Sequence, residues 1–124
     1  MIPELSVFDI ERTKKFYREL GFKIEYERTE DKFVFMSFQD SQFMFEQIHD
    51  DGWNIGELVY PLGRGINFSI AVDDIEELYK LVNHLNIELY RELTRNIYQV
   101  NGIEEMQTEF LIQDPNGYLL RFTN

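Results

Sequence analysis

Cysteine is absent from the 124 residues. That excludes disulfides and thiolate chemistry and suits a reducing cytoplasm, the expected location. Basic residues are few, with 12 Lys and Arg against 23 Asp and Glu, a formal net charge of -11. Nucleic acid is therefore not an expected partner, because phosphate binding needs a basic footprint. A cationic small molecule is what such a field favours, and plain solubility is the other reading of the same charge. No apolar run approaches the ~20 residues of a membrane span. The opening Ile2-Pro3-Glu4-Leu5 has neither a basic nor an apolar leader region, so no signal peptide is expected. No nucleophile–base pair stands out, although Tyr60, Tyr90 and Tyr98 have the chemistry for acid–base work. Gly63-Arg64-Gly65 is too short to be a phosphate loop. Aromatic residues are abundant: the 11 Phe and 7 Tyr are mostly core material.

The chain repeats itself. Leu5-Ser6-Val7-Phe8-Asp9-Ile10-Glu11 aligns with Ile70-Ala71-Val72-Asp73-Asp74-Ile75-Glu76, and at the same offset Leu20-Gly21-Phe22 aligns with Leu85-Asn86-Ile87. In each copy a strand runs into an Asp that can cap a helix: Asp9 in the first, Asp73 or Asp74 in the second. Apolar spacing predicts helices over about 10–20 and 74–85, with Gly21 as a C-terminal stop. Strands are expected over about 22–29, 32–38 and 42–48, then 87–92, 107–113 and 118–123. Asp40-Ser41 and Asp114-Pro115-Asn116-Gly117 read as hairpin turns, and residues 93–106 as a long loop. The expected fold is α+β: one domain over 1–124, with a βαβββ unit at 1–48, a linker at 49–65 and a second unit at 66–124. Two such units leave a concave sheet face, the natural place for a ligand.

Asp9-Ile10-Glu11, Phe16-Tyr17-Arg18-Glu19-Leu20-Gly21-Phe22, Ala71-Val72-Asp73-Asp74 and the closing Asp114-Pro115-Asn116-Gly117-Tyr118-Leu119-Leu120-Arg121-Phe122 together resemble the glyoxalase/bleomycin resistance/dioxygenase superfamily, also called vicinal oxygen chelate proteins. The resemblance covers nearly the whole chain. Its motifs are modest singly and specific in their order and spacing. The Ile2-Pro3-Glu4-Leu5 start and the Leu119-Leu120-Arg121 ending resemble the bleomycin resistance branch, and this implies a homodimer whose grooves are built from both chains.

Alternation along the strands predicts which residues face that groove. Ile2, Glu4 and Ser6 face it in the first strand and Asn67, Ser69 and Ala71 in the fifth. A turn at Asp40-Ser41 pairs Phe38 with Phe43 and Phe35 with Glu46, leaving Phe33, Phe35, Ser37, Met44 and Glu46 facing the groove. Leu119 and Arg121 face it from the last strand. A bulge at Gly117 would add Glu109 and put Phe110 and Ile112 in the core. Trp53 in the linker reads as a lid over the groove mouth or as the buried anchor of its loop. In the superfamily's metalloenzymes four inward positions supply two His and two carboxylates; by the resemblance these fall on Ile2, Glu46, Asn67 and Arg121. Only Glu46 suits a divalent metal, so neither a metal nor another cofactor is expected. His49 and His84 read as surface residues.

The expected ligand-binding residues are thus Phe33, Phe35, Met44, Glu46, Trp53, Asn67, Ser69, Glu109 and Arg121. Phe33 and Phe35 can stack on a planar ligand, Glu46 can meet a cation, and Arg121 can pair with Glu46 or Glu109. The bleomycin resistance branch implies metal-free binding that sequesters a cationic, antibiotic-like ligand, with no catalytic residue. The alternative is a lyase, isomerase, transferase or dioxygenase-like enzyme, with Glu46 as general base if it works without metal. A protein-interaction module that kept the fold and filled the groove is a third reading.

Overall fold

The computed structural model describes residues 1–124. The chain runs β1 (Glu4–Val7), α1 (Ile10–Glu19), β2 (Lys23–Arg28), β3 (Phe33–Phe38), β4 (Ser41–Gln47), then β5 (Asn67–Ala71), α2 (Ile75–His84), β6 (Leu89–Val100), β7 (Ile103–Gln113) and β8 (Leu119–Thr123). Each βαβββ unit builds its own four-stranded mixed sheet, ordered β1-β4-β3-β2 in the first and β5-β8-β7-β6 in the second. In both, the first strand lies parallel to the last, and the helix supplies the crossover that parallel neighbours need.

The repeat extends to the helix ends. Asp9 accepts from the backbone N–H groups of Glu11 and Arg12, and Asp74 from that of Glu77; such a cap is worth about 0.5–2 kcal/mol. Gly21 (φ 108°) ends α1, and Asn86 (φ 58°) does the same after α2. These are the residue types that accept a left-handed backbone most readily.

One apolar cluster is drawn from both units. Leu5, Val7, Tyr17, Val34, Met36 and Phe45 from the first meet Ile70, Val82, Phe110, Ile112, Leu120 and Phe122 from the second. Phe43 meets Phe68 edge-on at 5.2 Å, and Phe38 meets Phe122 at 6.3 Å, across the join. A polar latch reinforces it: buried Tyr17 donates to Asp114 at 2.7 Å, and Tyr118 Oη donates to the Ser6 carbonyl at 2.8 Å.

Three expectations need correction. The β3–β4 turn is Gln39-Asp40, so Phe38 pairs with Ser41, Phe35 with Met44 and Phe33 with Glu46. This register differs by two residues from the expected one. A two-residue shift keeps every side chain on its face and changes only its neighbours. Residues 93–106 are not a loop: β6 and β7 continue as a two-stranded arm that turns at Asn101 (φ 53°) and Gly102 (φ 79°). Two consecutive positive φ angles are what a tight hairpin turn demands, and Asn-Gly supplies them. Phe33 faces the expected side but is only 4% exposed, because Arg28 lies 4.0 Å over its ring. A planar ligand therefore finds that face already taken.

Candidate functional site

The outward faces of the two sheets carry the expected site residues as two separate sets. On the first sheet, Glu4, Ser6, Phe35, Met44 and Glu46 share one face across β1, β4 and β3. Phe35 stacks on Tyr26 at 5.3 Å with the rings 8° apart. Alternation alone would place Tyr26 with Ile24 on the core side. A register shift between those two residues moves Tyr26 across, as a bulge does. Glu46 Oε1 lies 3.1 Å from His49 Nε2. Burial and then the adjacent Glu46 push the Glu4 carboxyl above its usual pKa, and Arg28 acts in the opposite direction. Trp53 is 98% exposed, so it does not anchor its loop. It lines a recess of about 180 Å³ together with Glu4, Ser6, Glu46 and His49.

On the second sheet, Asn67 and Ser69 are exposed on β5, and β8 brings Arg121 between Ser69 and Leu111. Glu109 joins this face, with Phe110 and Ile112 fully buried beneath. Between the two candidate partners, Arg121 pairs with Glu109, at 3.7 Å. The arm holds Glu109 from the other side: its Oε1 accepts from Asn96 Nδ2 at 2.9 Å and from Tyr98 Oη. That contact, and then desolvation, raise the Tyr98 pKa. Glu109 Oε2 and Arg121 Nε are buried and have no hydrogen-bond partner. An unmet buried polar atom costs about 1–3 kcal/mol.

No hydrogen bond or ion pair joins a groove-facing side chain of one sheet to one of the other; the polar links between the units are elsewhere. Glu46 and Arg121 are therefore not brought together. The largest cavity, about 980 Å³, lies between α1 and the start of β6, beside Phe8, Arg12 and Tyr90, and none of the nine expected residues lines it. Sequence reasoning missed Tyr26, because a bulge broke the alternation, and Asn96, because its segment read as a loop. The exposed Asn101-Gly102 pair was the signal that could have found the arm.

The four positions that hold metal in the superfamily's metalloenzymes do not fit one here. Ile2 has no donor, Asn67 is a weak ligand and Arg121 is a cation held by Glu109. No group of three or more His, Asp or Glu side chains is arranged to hold a metal ion.

A family model described as "Bleomycin resistance protein-like N-terminal" matches residues 1–38. A glyoxalase/bleomycin resistance protein/dioxygenase superfamily member from Vibrio splendidus 12B01 is 36% identical over 97% of this chain and 93% of its own, with a TM-score of 0.45. The fold likeness rests on other structures. A glyoxalase/bleomycin resistance protein/dioxygenase from Alicyclobacillus acidocaldarius is 26% identical over 99% of this chain and 88% of its own, with a TM-score of 0.69. A bleomycin resistance determinant encoded on the transposon Tn5 is 22% identical over 100% and 95%, with a TM-score of 0.66. No curated protein matches the chain. The chain belongs to the glyoxalase/bleomycin resistance/dioxygenase superfamily.

Proposed function

We propose that this protein binds a small cationic molecule without transforming it, in a groove completed by a second copy of the chain. The observation that carries this reading is the carboxylate pair Glu4 and Glu46 beside the Phe35–Tyr26 stack. Two adjacent acids on a face of this charge favour a cation between them, and the aromatic stack offers a plane for its apolar part. The net charge of -11 draws cations toward the whole surface. The misfit of the four metal positions argues against metal-dependent chemistry of the glyoxalase type. The separation of the two half-sites within one chain favours a homodimer, in which the first sheet of one copy faces the second sheet of the other.

The likeness to the Tn5 bleomycin resistance determinant makes bleomycin the first probe. Titration calorimetry should show binding that weakens as salt rises, and weakens at least tenfold in Glu46→Gln and in Phe35→Ala. Unaltered affinity in both variants would place the ligand elsewhere. Absence of binding by the wild type would remove the antibiotic reading.

A further inference from the structure

We propose that the largest cavity binds a small aromatic zwitterion of the amino-acid type. None of the residues assigned to the two groove faces lines it, so the inference stands apart from the groove reading. The cavity holds about 980 Å³, near the top of the roughly 300–1,000 Å³ range of small-molecule sites. Its walls are fixed by one buried residue. Asn116, 1% exposed, accepts from the Phe8 N–H through Oδ1 at 3.0 Å and from the Leu62 N–H through its carbonyl at 2.9 Å. The segment after β1 and the linker beside Tyr60 are thereby tied to the turn before β8. A preformed cavity loses less ordering entropy when a ligand enters.

The two sides of the cavity carry opposite charge. On α1, Arg12 and Phe16 are one turn apart and share a face of the helix. At the start of β6, Glu88 and Tyr90 are both exposed and, two residues apart, lie on one side of the strand. Arg12 and Glu88 are exposed, and neither forms an ion pair with the other or with any other side chain. Asp114 also lines the cavity, but both its oxygens already accept from Tyr17, Asn116 and Tyr118, so it does not take up Arg12. Phe8, Tyr60 and Tyr90 are exposed, and of the rings in the walls only Phe16 meets another, Tyr17 at 5.3 Å. A ligand that answers both charges carries a carboxylate for Arg12 and an ammonium for Glu88, with a ring for the aromatic walls. The ammonium can also lie over a tyrosine face. A simple anion would be repelled by Glu88, and a simple cation by Arg12.

The test titrates phenylalanine, phenethylamine and 3-phenylpropanoate into the full-length protein, read by backbone amide NMR. Phenylalanine should shift the amides of Phe8, Arg12, Glu88 and Tyr90 and leave those of Phe35 and Ser69 in place. It should bind more tightly than either single-charge probe by about fivefold, the scale of one exposed ion pair. Arg12→Gln should remove its advantage over phenethylamine, and Glu88→Gln its advantage over 3-phenylpropanoate. Tyr90→Ala should weaken all three probes. Glu104→Gln makes the same charge change on the β6–β7 arm, outside the cavity, and should alter none of the affinities. All four variants replace exposed side chains, and their amide spectra check that the fold is kept. Equal affinity for the three probes, shifts confined to the groove faces, or no shift with phenylalanine would overturn the proposal. So would an advantage that survives in both Arg12→Gln and Glu88→Gln, or an equal loss in Glu104→Gln.

Discussion

Asp114 is almost fully buried, and four donors turn toward its carboxylate: Tyr17 Oη, the Asn116 and Tyr118 backbone N–H groups, and Asn116 Nδ2. Burial still outweighs them, and the carboxyl pKa is raised. A raised native pKa means that this group's contribution to stability is fully present below the unfolded pKa and is lost as pH rises through the native one. Tyr17→Phe removes one donor, so the native Asp114 pKa should rise further, and stability at neutral pH should fall by about 1–3 kcal/mol. The loss should shrink below the Asp114 pKa, where a protonated carboxyl needs one donor fewer. Urea midpoints at acidic and neutral pH check both statements, and an equal loss at both would contradict them. At Glu4 the raised pKa has a ligand-binding consequence. Below the Glu4 pKa a cation seated between Glu4 and Glu46 must displace a proton, so bleomycin affinity should increase as pH rises through that pKa and level off above it. Calorimetry across that range would count against the carboxylate pair if affinity stayed flat.

The β6–β7 arm is the element whose behaviour differs most from its surroundings. Beyond β8 it is a two-stranded ribbon, which is marginal on its own. Its Ile97 and Met106 pair stays 62% and 64% exposed. Gly102→Ala places a side chain at φ 79°, a strain of about 1–2 kcal/mol. Hydrogen exchange at Ile97 and Met106 should therefore quicken about 5–30-fold, while Phe110 and Ile112 keep their rates. Equal quickening at both would mean that the arm does not open separately. Gly117 is the contrasting case: at φ 100° an added Cβ would sit 2.7 Å from Pro61 Cα. Gly117→Ala should therefore cost more than about 2 kcal/mol of global stability, readable as a lower urea midpoint. The arm also shows what the sequence leaves legible and why. Helices and core strands are readable because a buried face imposes a period on Ile10, Tyr17 and Leu20, or on Phe43 and Phe45. Residues 94–108 have no core beneath most of their length, so nothing enforces alternation and only Asn101-Gly102 marks the hairpin. Glu46, Ser69 and Arg121 are legible as groove-facing from strand parity. Tyr26 is hidden by a one-residue bulge, and the Asn96–Tyr98 clasp on Glu109 depends on a register that parity cannot supply.

At the scale of the whole molecule, the two proposed half-sites lie on separate sheets that share a core and not a groove. Light scattering should therefore give twice the 15.0 kDa chain mass, and the mass of a single chain would deny the groove its second half. The most direct test mixes two defects that lie on different sheets. Glu46→Gln weakens the first-sheet half, and Ser69→Trp fills the exposed second-sheet half without touching the core. In an equal, freely exchanging mixture, half of the dimers combine both variants, and each of these holds one groove with both defects and one with neither. Bleomycin calorimetry on the mixture should then recover wild-type affinity in about a quarter of the grooves, as two-fold symmetry requires. A mixture that binds no better than either variant alone would contradict a groove shared between two copies.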